Sequence, residues 1–108
     1  MTYDVAIIGA GTAGIYAGYE LLRLKPHLRV LVLEMGNDIY SRRCPIVAGK
    51  VRECISCKPC SIMSGFGGAG AFSDGKYNFT TEFGGWLSDY LDDRELMDLI
   101  DYVDSVNV

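Results

Sequence analysis

Several residue types that announce a function are scarce here. There is one histidine in 108 residues, His27, beside Pro26 in a stretch that reads as a connecting turn. A metal site built on several histidines is therefore excluded, and His27 is read as an exposed loop residue with no catalytic role. Basic residues form no block: ten Lys and Arg stand against fourteen Asp and Glu, for a formal net charge of −4. A nucleic-acid or anionic-membrane partner is not expected from that balance. No apolar run approaches the roughly 20 residues that span a bilayer. The apolar start has no basic lead-in, carries Asp4 and is broken by glycines, so it reads as mature structure rather than a targeting segment. A cytoplasmic protein with reduced thiols is the expectation.

Glycine, by contrast, is abundant. The stretch Tyr3 to Gly14 places Gly9, Gly11 and Gly14 as G-x-G-x-x-G after the apolar run Val5-Ala6-Ile7-Ile8. That order predicts a buried strand, a tight turn and a helix over Thr12 to Leu24, stopped by Pro26. Gly9 permits the turn, Gly11 lets backbone approach a diphosphate, and Gly14 lets the helix pack on the strand. Thr12 and Ala13 then sit where unpaired N–H groups meet an anion. Leu21, Leu22 and Leu24 are core candidates, with Ala13 and Ala17 small enough to touch the sheet. A second strand, Arg29 to Leu33, ends in Glu34 and Met35. Glu34 lies twenty residues after Gly14, where this fingerprint puts a carboxylate on a ribose. Its charge would repel a 2′-phosphate.

Beyond Met35 the chain turns irregular. Arg42 and Arg43 are candidates for stacking on adenine or pairing with a diphosphate, or for plain solvated surface. Ile46 to Val51 reads as a short extended piece. Cys54, Cys57 and Cys60 follow as C-x-x-C-x-x-C, and Cys44 is the fourth and last cysteine. Three chemistries compete. They are an iron–sulfur cluster on four thiolates, a redox dithiol at Cys57 and Cys60, and ordinary thiols or a structural zinc. Spacing alone does not choose among them. Gly65 to Gly70 is a second glycine-rich stretch, including Gly67, Gly68 and Ala69, open to a flat ligand or a phosphate or else a flexible loop. Asp74-Gly75 predicts a hairpin between Ala71-Phe72 and Tyr77–Thr80. After a break at Glu82-Phe83-Gly84-Gly85, Trp86 is expected to pack in a core. Asp92 and Glu95 then open a helix whose Leu96, Leu99, Ile100, Val103 and Val106 share a face. The closing residues, Asp104 to Val108, carry no stop signal.

Two of these motifs together resemble a family. Residues 4–14 are similar to the FAD-binding start of flavoproteins with two dinucleotide-binding domains. The run from Cys57 to Lys76 resembles the signature of the bacterial and archaeal FAD-dependent dehydrogenases, also described as NAD(P)/FAD-dependent oxidoreductases. The resemblance implies FAD held by Gly9, Gly11, Gly14 and Glu34, with Gly65 to Gly70 near the flavin or its pyrophosphate. NAD(P)H is an implied co-substrate. Family members are several times longer, so 108 residues fit the N-terminal part of such an enzyme, and this part alone is expected to be inactive. Its substrate or redox partner would bind mainly through downstream domains. The expected fold is α/β and an incomplete domain. A Rossmann-like βαβ unit with a parallel sheet spans 1–35, Cys- and Gly-rich loops with a hairpin span 36–85, and 86–108 is helical. The alternatives are an NAD-binding regulatory or sensing module with a thiol or metal switch, or a non-catalytic fragment.

Overall fold

The computed structural model describes residues 2–82 and 84–107. Phe83, in the expected break, and Val108, in the closing stretch, lie outside the described residues. The elements are β1 (Val5–Ile8), α1 (Thr12–Leu24), β2 (Val30–Leu33) and α2 (Asp93–Asn107), with short 3₁₀ turns at Gly68–Phe72 and Leu87–Asp89. The chain forms two compact units, Met1–Asp74 and Gly75–Val108. The Cys- and Gly-rich loops up to Asp74 group with the βαβ unit in the first of these.

In the first unit, β1 and β2 pair in parallel, from Val5 beside Val30 to Ile8 beside Leu33. At the strand entrance Arg29 donates from Nε and Nη2 to the Asp4 carboxylate, both at 3.1 Å, and that forked pairing helps set the register. Helix α1 crosses between the strands and ends as expected, with Lys25 N–H donating to Leu21 O at 2.8 Å just before Pro26. The residues touching the sheet differ from those expected. Ala13 and Ala17 are exposed, and Gly18 is buried. A Cβ at Gly14 would collide with the Gly9 carbonyl and lie 3.3 Å from Ile7 Cγ2, and one at Gly18 would lie 3.5 Å from Ile7 Cδ1. Four residues apart, Gly14 and Gly18 share one helix face, and positions 13 and 17 lie about 100° round from it. Two strands cover only a narrow stripe of the helix, so Leu22 and Leu24, expected in the core, are exposed.

Two further expectations are corrected. Ile46 to Val51 is not extended. Ala48, Gly49 and Lys50 N–H groups donate to Cys44, Ile46 and Pro45 carbonyls, each at 2.9 Å, winding the segment into turns. The hairpin is also absent: Ala71 and Phe72 belong to the 3₁₀ turn, and 77–80 form no strand. The run of small residues before Phe72 favours that winding over a pleated strand, which needs side chains to pack.

In the second unit, α2 opens with the expected reciprocal cap. Asp92 Oδ1 accepts from Glu95 N–H at 2.9 Å, and Glu95 Oε2 accepts from Asp92 N–H at 3.0 Å. Of its apolar face Leu96 is buried and Leu99 is exposed. Trp86 is 79 % exposed, contrary to its expected core role. No helix among the described residues is long and apolar enough to cross a membrane.

Gly14→Ala is expected to destabilise the chain by about 1–3 kcal/mol, the usual cost of overpacking. Gly11→Ala, which meets no atom within 4 Å, should leave stability nearly unchanged. Urea denaturation of the two variants compares them directly.

Candidate functional site

The site begins where β1 ends. Gly9 has φ +97°, a backbone region that a side chain disfavours, and its N–H donates to Leu33 O at 2.7 Å. The chain then passes through buried Ala10 to Gly11, which caps α1 without any side-chain hydrogen bond. No acidic side chain occupies the first turn of α1. The helix therefore presents its positive end and its first N–H groups at this corner. A Cβ at Gly9 or Gly11 would meet nothing within 4 Å, so both backbones border open space.

Glu34, at the end of β2, ties three segments together. Oε2 accepts from Ala10 N–H at 2.7 Å, and Oε1 accepts from Gly36 N–H and Gly65 N–H, both at 2.9 Å. The Ala10 and Gly36 amides are the main reason the Glu34 carboxyl is held below its ordinary range, with Gly65 and Met35 adding to them against some loss of solvation. The acid at this strand end was legible in the sequence, but its partners were not. Gly36 read only as a turn. In fact a Cβ there would strike the backbone of Ser64 and Gly65, so close approach of the two loops requires glycine.

The second glycine stretch lies on the first. Gly67 N–H donates to Ala10 O at 2.8 Å, and Phe66 N–H to Asn37 O at 3.2 Å. A Cβ at Gly68 would be 3.2 Å from Gly11 Cα, and one at Gly70 would be 3.5 Å from Thr12 Oγ1. Arg42 corrects an expectation: it is 5 % exposed and its guanidinium faces backbone. Nε donates to Ser61 O at 2.8 Å, Nη1 to Phe66 O at 3.0 Å and Gly68 O at 2.8 Å, and Nη2 to Ile62 O at 2.5 Å. Phe72 stacks on it, 4.7 Å from the ring centroid. With its donors so engaged, Arg42 is a support for the loop rather than a ligand of adenine or diphosphate. Arg43 is exposed.

The cysteines do not converge. All four are free thiols, with Cys54 exposed and Cys44, Cys57 and Cys60 half-buried. Among the described residues no three Cys, His, Asp or Glu side chains gather as a metal-ligand set. A four-thiolate site at Cys44, Cys54, Cys57 and Cys60, one of the readings the spacing left open, is not gathered among the described residues. The N–H groups of Met63 and Ile62 hold the Cys60 thiol below its ordinary range, with a smaller contribution from the Arg42 charge.

A hollow of about 270 Å³ opens between the two glycine stretches, lined by Gly9, Gly11, Glu34, Met35, Gly65 and Gly68 among others. Of the residues expected at the site, Gly14 packs on the strand, Thr12 and Ala13 start α1, Gly67 braces Ala10, and Ala69 is exposed. Ser64 and Met63 line the hollow without having been marked by the sequence. A groove of about 460 Å³ lies within the second unit, against Leu96, Leu99, Ile100 and Val103. It contains none of the expected site residues.

Comparison with known proteins bears on the fold of the first unit. Residues 7–46 match the NAD(P)-binding Rossmann-like domain family. Over 62 residues the chain is 38 % identical to the mitochondrial L-2-hydroxyglutarate dehydrogenase of Dictyostelium discoideum, covering 57 % of this chain and 14 % of that protein. No solved structure gives a significant match. The βαβ unit is therefore Rossmann-like, and the chain spans about 14 % of the length of the relative it matches.

Glu34→Gln should show what the carboxylate contributes. A depressed carboxyl stabilises the fold fully above its unfolded value, about 4.3, and the contribution fades as pH falls through the lower folded value. The stability gap between wild type and Glu34→Gln is therefore expected to be constant near neutrality and to close in acid. Denaturation midpoints measured from pH 7 downward test this; a gap that widens in acid would contradict it.

Proposed function

We propose that this Rossmann-like unit binds FAD and forms the cofactor-binding segment of a flavin-dependent dehydrogenase. The observation that carries the reading is the open backbone at Gly9 and Gly11, beside an uncapped helix start and the Glu34 carboxylate. A diphosphate fits where a Cβ would otherwise project, and the helix N-terminus favours its charge. The acid at the end of β2 suits ribose hydroxyls and disfavours a 2′-phosphate. At about 270 Å³ the hollow is at or just below the usual ~300–1,000 Å³ of small-molecule sites. It suits one part of an extended dinucleotide. The resemblance over residues 57–76 supports FAD in preference to NAD.

When bound, FAD would supply hydride or electron chemistry. This chain's residues bind and orient it: Gly9 and Gly11 by close backbone approach, α1 by its first N–H groups, and Glu34 at the ribose. The relative's substrate is not carried over, since the match covers 14 % of that protein. The substrate or redox partner is assigned to parts of the protein outside this segment. A second reading, an NAD-binding module, is favoured by the description of the matched family.

Titration of the purified chain with FAD, followed by flavin fluorescence, and with NADH separates these readings. Saturable FAD binding is expected. Gly11→Leu should abolish it while the thermal midpoint stays near wild type, because the added side chain fills ligand space and not core. NADH binding without FAD binding would favour the second reading, and binding of neither would contradict both.

A further inference from the structure

We infer that Arg42 is a positioning residue for the cofactor's diphosphate, acting through the peptide planes of residues 61–69 without touching the ligand. The inference rests on the dinucleotide reading above. In a trans peptide the N–H points opposite to the C=O. Arg42 gathers the carbonyls of Ser61, Ile62, Phe66 and Gly68. The N–H groups sharing those peptides belong to Ile62, Met63, Gly67 and Ala69, and all four are turned away from the guanidinium. Their destinations follow from that turn. The Ile62 and Met63 N–H groups act on the Cys60 thiol and hold it below its ordinary range. Gly67 N–H reaches Ala10 O at 2.8 Å, inside the first glycine turn. Ala69 lies between Gly68, which packs against Gly11, and Gly70, which packs against Thr12. One buried cation thus sets the orientation of the loop that leans on the start of α1.

A lysine cannot repeat this. Its ammonium is a compact point donor without the planar fork that spreads Arg42's hydrogen bonds over both ends of the segment. Loss of the fork would free the Phe66 and Gly68 peptides to rotate and would release the Gly67 contact with Ala10. The diphosphate corner would lose its second wall. Glu34 would keep Ala10 and Gly36, so the ribose end would suffer less.

The test compares FAD, ADP and AMP binding to wild type, Arg42→Lys and Arg42→Met by amide chemical-shift titration. Wild type is expected to bind all three. Both variants should bind ADP and FAD about tenfold more weakly, a typical effect of one lost interaction, with AMP affinity little changed. Unchanged ADP affinity in Arg42→Lys would overturn the inference, as would equal losses for AMP and ADP, which would mark a general loss of fold. Wild type that binds no nucleotide would instead bring down the dinucleotide reading, and this role with it. If neither variant folds, the wild-type Arg42 Nε–H signal decides. It should move with ADP along the same saturation curve as Gly67 N–H and stay still with AMP; an Nε–H signal indifferent to ADP would overturn the inference.

Discussion

The first unit depends on one carboxylate. Glu34 accepts hydrogen bonds from the turn after β1, from its own strand end and from the second glycine stretch. Bonds from amides to an ionised acceptor are stronger than neutral ones. They substitute here for an apolar core that the unit largely lacks, because Ala10 is its only buried hydrophobic residue among those described. The same carboxylate also lines the hollow. The group that assembles the site is thus one of its walls.

The other constraint is backbone proximity. Gly36 must meet Gly65 and Gly14 must meet Gly9 at distances that exclude ordinary side chains, and Gly68 sits tightly on Gly11. The site is consequently built from main chain. Its polarity comes from amides and from the helix end, while Arg42 and Glu34 act on opposite sides of the glycine loop, one holding carbonyls and the other an N–H. A main-chain site of this kind offers amide donors and the positive end of a helix to an anion.

Local pattern made much of this readable. The apolar run into G-x-G-x-x-G gave β1 and α1 with their observed bounds, and the Asp92–Glu95 pair marked the start of α2. Burial was harder to read. Leu22, Leu24 and Trp86 are apolar, yet a two-stranded sheet and a single long helix per unit offer too little surface to cover them. Arg42 failed for the opposite reason. A sequence shows its charge but not the four carbonyls, from residues 61 to 68, that bury it. The cysteine spacing was suggestive of a metal, but turns around Cys44 and Cys60 direct those residues into local hydrogen bonding. Contacts between residues far apart in sequence were what pattern could not supply.

Native-state hydrogen exchange of three amides, Ala10, Gly36 and Gly65, tests the central role of Glu34 most directly. If one carboxylate holds all three, their protection should be similar at neutral pH and should fall together in Glu34→Gln. Fast exchange at Gly65 beside strong protection at Ala10, or protection that survives the substitution, would contradict the account.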